Sequence, residues 1–364
     1  MRLALSYSAI RRAPAWLGGA LLAASLAASG SARASGPQVD ARHVAFIEGK
    51  AVAPVQGGGT AKLTIDPALQ RTAERLLDQA RAPEGAVVVS DVRTGRILAW
   101  VSRGAARDYV ATPFAPSASL FKVVTATALL DSGKATPATR QCYGAGGEHS
   151  VREKDLLGNG GPTCTSLGDA LGKSVNLVFA RLAHRMLTAT DVRRTANQLG
   201  FGVEPMIDVW AQKSDVEIPD DPIGMARAAA GFGDGKVSPL TALSMMQTIA
   251  NGGERVRLNL LDASPSRVSL GRAMSEKTAL ELRRMLENTT VHGTCAKVFH
   301  HPDGTRVLPH TSVAAKTGTL VQGKPARMFS WFAGFAPVEK PEIAVAVMLG
   351  NDVRWWEKAN EVGR

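Results

Sequence analysis

Ala86-Val87-Val88-Val89, a turn at Arg93-Thr94-Gly95, and Ile97-Leu98-Ala99-Trp100-Val101 form the stretch on which the fold turns. Two runs of strand formers joined by a glycine-bearing turn predict a β-hairpin. The next runs of this character lie at the far end of the chain, over 311–319, 328–336 and 343–349. Between them the apolar residues recur at helical spacing. One helix is expected from about Ser119 through Val123, Val124, Leu129 and Leu130 to a stop at Gly133, with others over 166–186, 189–199, 240–251 and 274–290. Strands at both ends with helices between them predict an α+β domain. Its antiparallel sheet of about five strands is drawn from both chain ends, with a helical subdomain inserted between them. No internal repeat is visible.

Upstream of the hairpin, Asp66 and Pro67 are a natural N-cap and first helical residue, and Leu69, Ala73, Leu76, Leu77 and Ala80 follow at helical spacing. Order is therefore expected from Leu63, with a catalytic domain over 63–364. Residues 35–62, polar and carrying Gly57-Gly58-Gly59, read as a linker. The first 34 residues have a basic start, an apolar small-residue middle and Ala32-Arg33-Ala34 ahead of Ser35. That order is a secretory signal peptide, or an N-terminal anchor if it is retained. Either way the expected location is the periplasm or the outer face of the cytoplasmic membrane, with membrane contact only through an uncleaved segment.

The composition sets further limits. The chain has 364 residues, 45% hydrophobic and 21% charged, the balance of a globular protein rather than a disordered one. The formal charge is +11, and four of the positives sit in the first 34 residues, which carry no acid. A basic surface suits an anionic partner. Without a run of five basic residues, and with only 5% aromatics, nucleic acid is not expected. Cys142 and Cys164 bracket a glycine-rich stretch, and a bridge between them closes a loop of about 23 residues, contributing about 3 kcal/mol. Cys295 is left over and reads as a small, half-buried apolar residue rather than a catalytic thiol. Trp100, Trp210, Trp331, Trp355 and Trp356 read as core or rim residues.

Several familiar motifs fail. There is no H-E-x-x-H and no G-x-S-x-G. Gly168-Asp169-Ala170-Leu171-Gly172-Lys173-Ser174 is one residue short of a phosphate-binding loop and reads as helix. Gly231-Phe232-Gly233-Asp234-Gly235 reads as a turn. His300, His301 and His310 lack a carboxylate at helical spacing, so neither a metal nor a cofactor is expected.

One constellation remains. In Ser119-Leu120-Phe121-Lys122 the two ends of an S-x-x-K share a helix face, so the lysine amine can reach the serine hydroxyl. A serine alcohol is a weak nucleophile until a base takes its proton, and a lysine serves if burial or nearby positive charge lowers its pKa. Read alone, Ser119 is as well an N-cap, Asn176 a helix-surface amide and Lys316 a strand-edge charge. What changes the reading is the set: Ser174-Val175-Asn176 follows Ser119 by 55 residues, and Lys316-Thr317-Gly318-Thr319 follows Ser174 by 142.

In this order the three motifs resemble the active site of the penicillin-binding proteins and serine β-lactamases. The likeness covers about 63–364. Leu63-Thr64-Ile65-Asp66-Pro67 resembles the start of the penicillin-binding transpeptidase domain, as does the hairpin. Residues 228–253, with Ser238-Pro239-Leu240 and Ile249-Ala250-Asn251-Gly252-Gly253, resemble the stretch between the second and third motifs, and Trp331-Phe332-Ala333-Gly334-Phe335-Ala336-Pro337 the strand after the third. The cysteine pair ahead of S-x-N has counterparts in some members.

The resemblance implies Ser119 as nucleophile and Lys122 as its base, with Ser174, helped by Lys316, passing a proton to the leaving amine. Asn176 would hold the substrate amide, and Lys316, Thr317 and Thr319 would meet its terminal carboxylate, with Gly318 leaving a bare backbone for substrate along the strand edge. The backbone N–H groups of Ser119 and Thr319 would form the oxyanion hole. Ala118 stands where many members have glycine, and Leu320 where a small residue is common. The span between Ser35 and Leu63 leaves no room for a glycosyltransferase or pedestal domain, so a stand-alone catalytic domain is expected. The implied function is an exported serine D,D-transpeptidase or D,D-carboxypeptidase acting on peptidoglycan stem peptides ending in D-Ala-D-Ala, with β-lactams as covalent inhibitors. The alternatives are a serine β-lactamase and a non-enzymic β-lactam or muropeptide sensor.

Overall fold

The computed structural model describes residues 36–105, 107–144, 151–158, 160–352 and 357–364. The segment read as a signal peptide or anchor, and Trp355 and Trp356, lie outside the described residues. Asp66 caps helix α1 (Pro67–Gln79), its carboxylate accepting from the backbone N–H groups of Ala68 and Leu69. The hairpin follows as β1 (Glu84–Asp91) and β2 (Ile97–Arg103). The helical region includes α2 (Phe121–Asp131), α3 (Leu167–Lys173), α4 (Asn176–Met186), α5 (Pro239–Ala250) and α6 (Glu276–Val291). The chain then returns to the sheet as β3 (Ala314–Gln322), β4 (Arg327–Ala336) and β5 (Ile343–Asn351), and α7 (Ala359–Val362) follows.

The five strands form one antiparallel sheet in the order β3-β4-β5-β1-β2, so the hairpin pairs with the last strand across the helical insertion. Alternate residues divide between two cores. Val88, Trp100, Trp331, Ala333 and Ala346 face the helical region, whereas Val87, Val101, Phe332 and Val347 face α1 and α7. A sheet covered on both sides needs apolar residues at successive positions, which is why β4 and β5 read as almost unbroken apolar runs. Helix α2 is buried from Phe121 to Leu130, which accounts for its lack of a polar face.

Four expectations need correction. Residues 45–62 are not a linker: Ala45–Ile47, Lys50–Pro54 and Thr60–Lys62 form a three-stranded sheet, with Ala51 and Ala53 buried in the main core. The three glycines that suggested a flexible tether are the turn between its second and third strands, all at positive φ. The single helix expected over 166–186 is broken at Ser174, which adopts a left-handed conformation (φ 59°, ψ 39°) between α3 and α4. The middle of the chain also holds two short ribbons that its helical pattern hid, Ala115–Pro116 with Lys236–Val237 and Arg140–Tyr143 with Thr163–Ser166. The latter ribbon sets Cys142 opposite Cys164, and the two are disulfide-bonded. Cys295 is fully buried, not half-buried, among Phe299, Phe332 and Leu349, and burial pushes its thiol up to about 12, so it stays protonated.

Candidate active site

The chain enters the site through Ala115–Pro116 and tightens into a single 3₁₀ turn, Ala118–Leu120, before α2 begins. Ala118 adopts φ 46°, a conformation that costs a residue with a Cβ about 1 kcal/mol or more. Glycine would adopt this conformation without that cost, so the alanine at this position carries the strain. Gly231, at φ 96°, lies against the same turn: a Cβ on it would come within 2.3 Å of the Ala118 carbonyl oxygen.

This turn settles what Ser119 does locally. Its hydroxyl caps no helix. It accepts a hydrogen bond from Lys122 Nζ at 2.7 Å, and the same Nζ donates to the Ala230 carbonyl, also at 2.7 Å. Lys122 has no exposed surface and its Nζ lies 6.0 Å from the centre of the Phe179 ring. Burial, with Lys316 adding repulsion, holds its pKa well below the usual lysine range. A neutral amine at hydrogen-bond distance from a half-buried serine hydroxyl can take the proton of that hydroxyl.

A second pair faces the first. The left-handed break between α3 and α4 turns Ser174 out of the helix, and its hydroxyl accepts from Lys316 Nζ at 2.9 Å. Lys316, on the edge strand β3, is also fully buried, and its Nζ donates to the Thr317 carbonyl at 2.9 Å. Burial lowers its pKa to about 7. Asn176 is the first residue of α4.

Gly318 brings the two walls together. A Cβ on it would lie 3.3 Å from the Ala118 Cβ, 3.3 Å from the Trp331 ring and 3.4 Å from the Ser119 backbone nitrogen. The expectation was that its bare backbone makes room for substrate along the strand edge. The bare backbone also lets the turn that carries Ser119 pack closely against the strand. The Trp331 indole N–H donates to the Pro116 carbonyl at 2.8 Å and ties β4 to the same turn.

Ser119, Ser174, Asn176, Thr317, Gly318 and Thr319 line one cleft of about 440 Å³. Lys122 and Lys316 sit behind it, each reaching it through its serine. Sequence reasoning missed four of the other lining residues: Thr294, Ser330, Lys358 and Asn360. Thr294 shares a hydrogen bond of 2.5 Å with the Thr317 hydroxyl, and its N–H donates to the Gly172 carbonyl at 3.1 Å. In the sequence, Gly293-Thr294 is an ordinary helix stop, and nothing in its spacing points to Thr317. Trp331, read as a core or rim residue, is 1% exposed and also lines the cleft.

The model of the penicillin binding protein transpeptidase domain matches residues 85–361, most of the chain. The chain belongs to that family. Among curated relatives, stage V sporulation protein D of Bacillus subtilis (strain 168) is 26% identical over 336 residues, covering 82% of this chain and 50% of that protein. Peptidoglycan D,D-transpeptidase PbpA of Mycobacterium tuberculosis (strain ATCC 25618 / H37Rv) is 28% identical over 345 residues, covering 81% and 68%. The chain thus spans about half to two thirds of the length of these relatives. Among solved structures, penicillin-binding protein A from M. tuberculosis in its imipenem acyl-enzyme complex superposes with a TM-score of 0.70 at 24% identity, over 84% of this chain and 78% of that one. A peptidoglycan glycosyltransferase from Burkholderia ambifaria gives 0.67 at 25% identity, over 82% and 92%. The five-stranded antiparallel sheet with its helical insertion is the fold of this transpeptidase family.

Proposed function

We propose that the protein is an exported serine D,D-transpeptidase that cleaves the D-Ala–D-Ala bond of peptidoglycan stem peptides through an acyl-enzyme, and a D,D-carboxypeptidase when water is the acceptor. The observation that carries this reading is the pair of buried lysine–serine hydrogen bonds opening into one cleft. In acylation Lys122 takes the Ser119 proton as Oγ attacks the scissile carbonyl. The Ser119 and Thr319 N–H groups hold the oxyanion, a contribution typically worth about 3 kcal/mol per donor. The tetrahedral adduct collapses with loss of D-Ala, whose amine takes a proton through Ser174 from Lys316. Asn176 holds the substrate amide, and Thr317 and Thr319 meet the terminal carboxylate. An incoming amine, or water, then attacks the ester, its proton passing through Ser174 back to Lys316, and Lys122 returns a proton to the departing Ser119 oxygen.

Among the described residues no carboxylate lines the cleft, which favours acyl transfer over rapid β-lactam hydrolysis. The test uses labelled penicillin and a defined bis-D-Ala peptide. Penicillin is expected to label the wild type for many minutes and to leave Ser119→Ala unlabelled. The peptide is expected to lose D-Ala, with a cross-linked mass when an amine is supplied. A label that vanishes quickly would favour the β-lactamase, and a lasting label without D-Ala release the sensor. Labelling of Ser119→Ala would move the nucleophile elsewhere.

A further inference from the structure

Thr294 lines the cleft from outside the three motifs, and it joins the two walls. Helix α6 ends at Val291, and the chain then turns at Gly293 against the end of α3. A Cβ on Gly293 would lie 2.3 Å from the Gly172 carbonyl oxygen and 2.8 Å from that of Asn288. The Thr294 N–H donates to the Gly172 carbonyl at 3.1 Å, just ahead of Ser174. Cys295, the next residue, is buried, and its N–H donates to the Thr289 carbonyl at 2.9 Å. The same helix is fastened to the chain entering β3 by Thr290, whose hydroxyl donates to the Val313 carbonyl at 2.7 Å. The Thr294 backbone is therefore held between the Ser174 wall and the strand wall. From there its hydroxyl meets the Thr317 hydroxyl at 2.5 Å.

A threonine hydroxyl has one hydrogen to give and two lone pairs to accept with. Two hydroxyls in contact can bond in either sense, and the sense decides what Thr317 offers to the cleft. If Thr317 donates to Thr294, it turns only lone pairs toward an anion. If Thr294 donates to Thr317, the Thr317 hydrogen is left over for a carboxylate oxygen, and the incoming bond polarises the outgoing one. A carboxylate accepts and cannot donate, so it favours the second sense. The 2.5 Å separation, at the short end of the O–H···O range, keeps the two hydroxyls in one chain.

We propose that Thr294 is a positioning residue that acts through Thr317: its hydroxyl donates to Thr317 Oγ1 and aims the Thr317 hydrogen at the carboxylate of the acyl donor. This deepens the acyl-transfer reading above and rests on it. The effect falls on donors that carry the anion, not on the transfer of the Ser119 proton.

The experiment measures the second-order acylation rate constant of the full chain with benzylpenicillin and with its methyl ester. Thr294→Val keeps the shape and removes the hydroxyl. It is expected to lose about fivefold with the acid and less than about twofold with the ester. Thr294→Ser keeps a hydroxyl and is expected to stay within about twofold of the wild type with both. In a Thr317→Val background, adding Thr294→Val is expected to change the acid rate no further, because the route through Thr317 is already cut. An equal fall for acid and ester, or a full fall that persists without the Thr317 hydroxyl, would make Thr294 a structural residue and overturn the inference. So would a Thr294→Ser as slow as Thr294→Val. A faster reaction of Thr294→Val with the acid would overturn it as well, since Thr294 would then be taking the Thr317 hydrogen for itself. If the wild type is acylated and Thr294→Val leaves the acid-to-ester ratio unmoved, only the inference fails. If neither compound acylates the wild type, the acyl-transfer reading fails and takes the inference with it.

Discussion

Lys122 and Ser119 belong to one helical turn, three residues apart, whereas Lys316 and Ser174 meet from 142 residues apart. Both pairs end alike, with a buried lysine Nζ against a serine hydroxyl and a backbone carbonyl. What holds them differs. The first pair is local and survives as long as the turn survives. The second needs β3 at the sheet edge, the break between α3 and α4, and the contact of Gly318 with the nucleophile turn. Burial holds both lysines below the usual lysine range, and Lys122 is also repelled by Lys316. In the proposed reaction the local pair supplies the base and the assembled one the proton relay.

The comparison breaks most sharply at Lys122. Lys122→Met should lower the acylation rate on the order of 10³-fold, because among the described residues Lys122 is the base hydrogen-bonded to Ser119. In the wild type, acylation should rise with pH as Lys122 loses its proton and fall on acidification. Stopped-flow acylation with a chromogenic β-lactam from pH 5 to pH 9 measures both, and a flat profile would point to another base.

Lys316→Met should cost less, about 10²-fold in D-Ala release, since Ser174 remains to pass a proton from solvent. It should also stabilise the fold. Unfolded, this lysine keeps its proton up to the usual lysine range, whereas folded it gives it up near pH 7. Between those values the unfolded chain binds more protons, so wild-type stability rises with pH across that window. The gain from Lys316→Met should therefore be largest below about pH 7, about 5 °C in Tm, and fade toward pH 10. Thermal melts of both proteins across that range check the sign.

The smallest effect sharpens the local pair. Ala118→Gly removes the left-handed strain ahead of Ser119 and should stabilise by about 0.5–1 kcal/mol while changing acylation by less than about threefold. A loss of stability in urea melts would mean that the Ala118 methyl, packed near Gly318, contributes more than the strain costs.

Much of this was legible in the residues. The hairpin at Glu84–Arg103 and the three terminal strands were readable because a doubly covered sheet writes itself as apolar runs, and the nucleophile turn because S-x-x-K is a contact within one turn. The ribbon at 45–62 was not, because three glycines look the same in a tether and in a turn until their neighbours are seen to be buried. Nor was the break at Ser174, where the apolar pattern continues through both helices and close packing of Gly172 against Asn288 accompanies their separation. Thr294, Ser330, Lys358 and Asn360 were invisible for a simpler reason: none sits at a fixed spacing from a motif residue.

The sequence by itself determined the elements, the order of the three motifs and the local serine–lysine pair, because these depend on neighbours within a few residues. Only the tertiary structure decided that Lys316 reaches Ser174, that Gly318 packs against the turn carrying Ser119, and that Lys358 and Asn360 line the cleft. Those contacts join residues far apart in the chain, and their geometry exists only once the sheet has formed and both of its faces are covered.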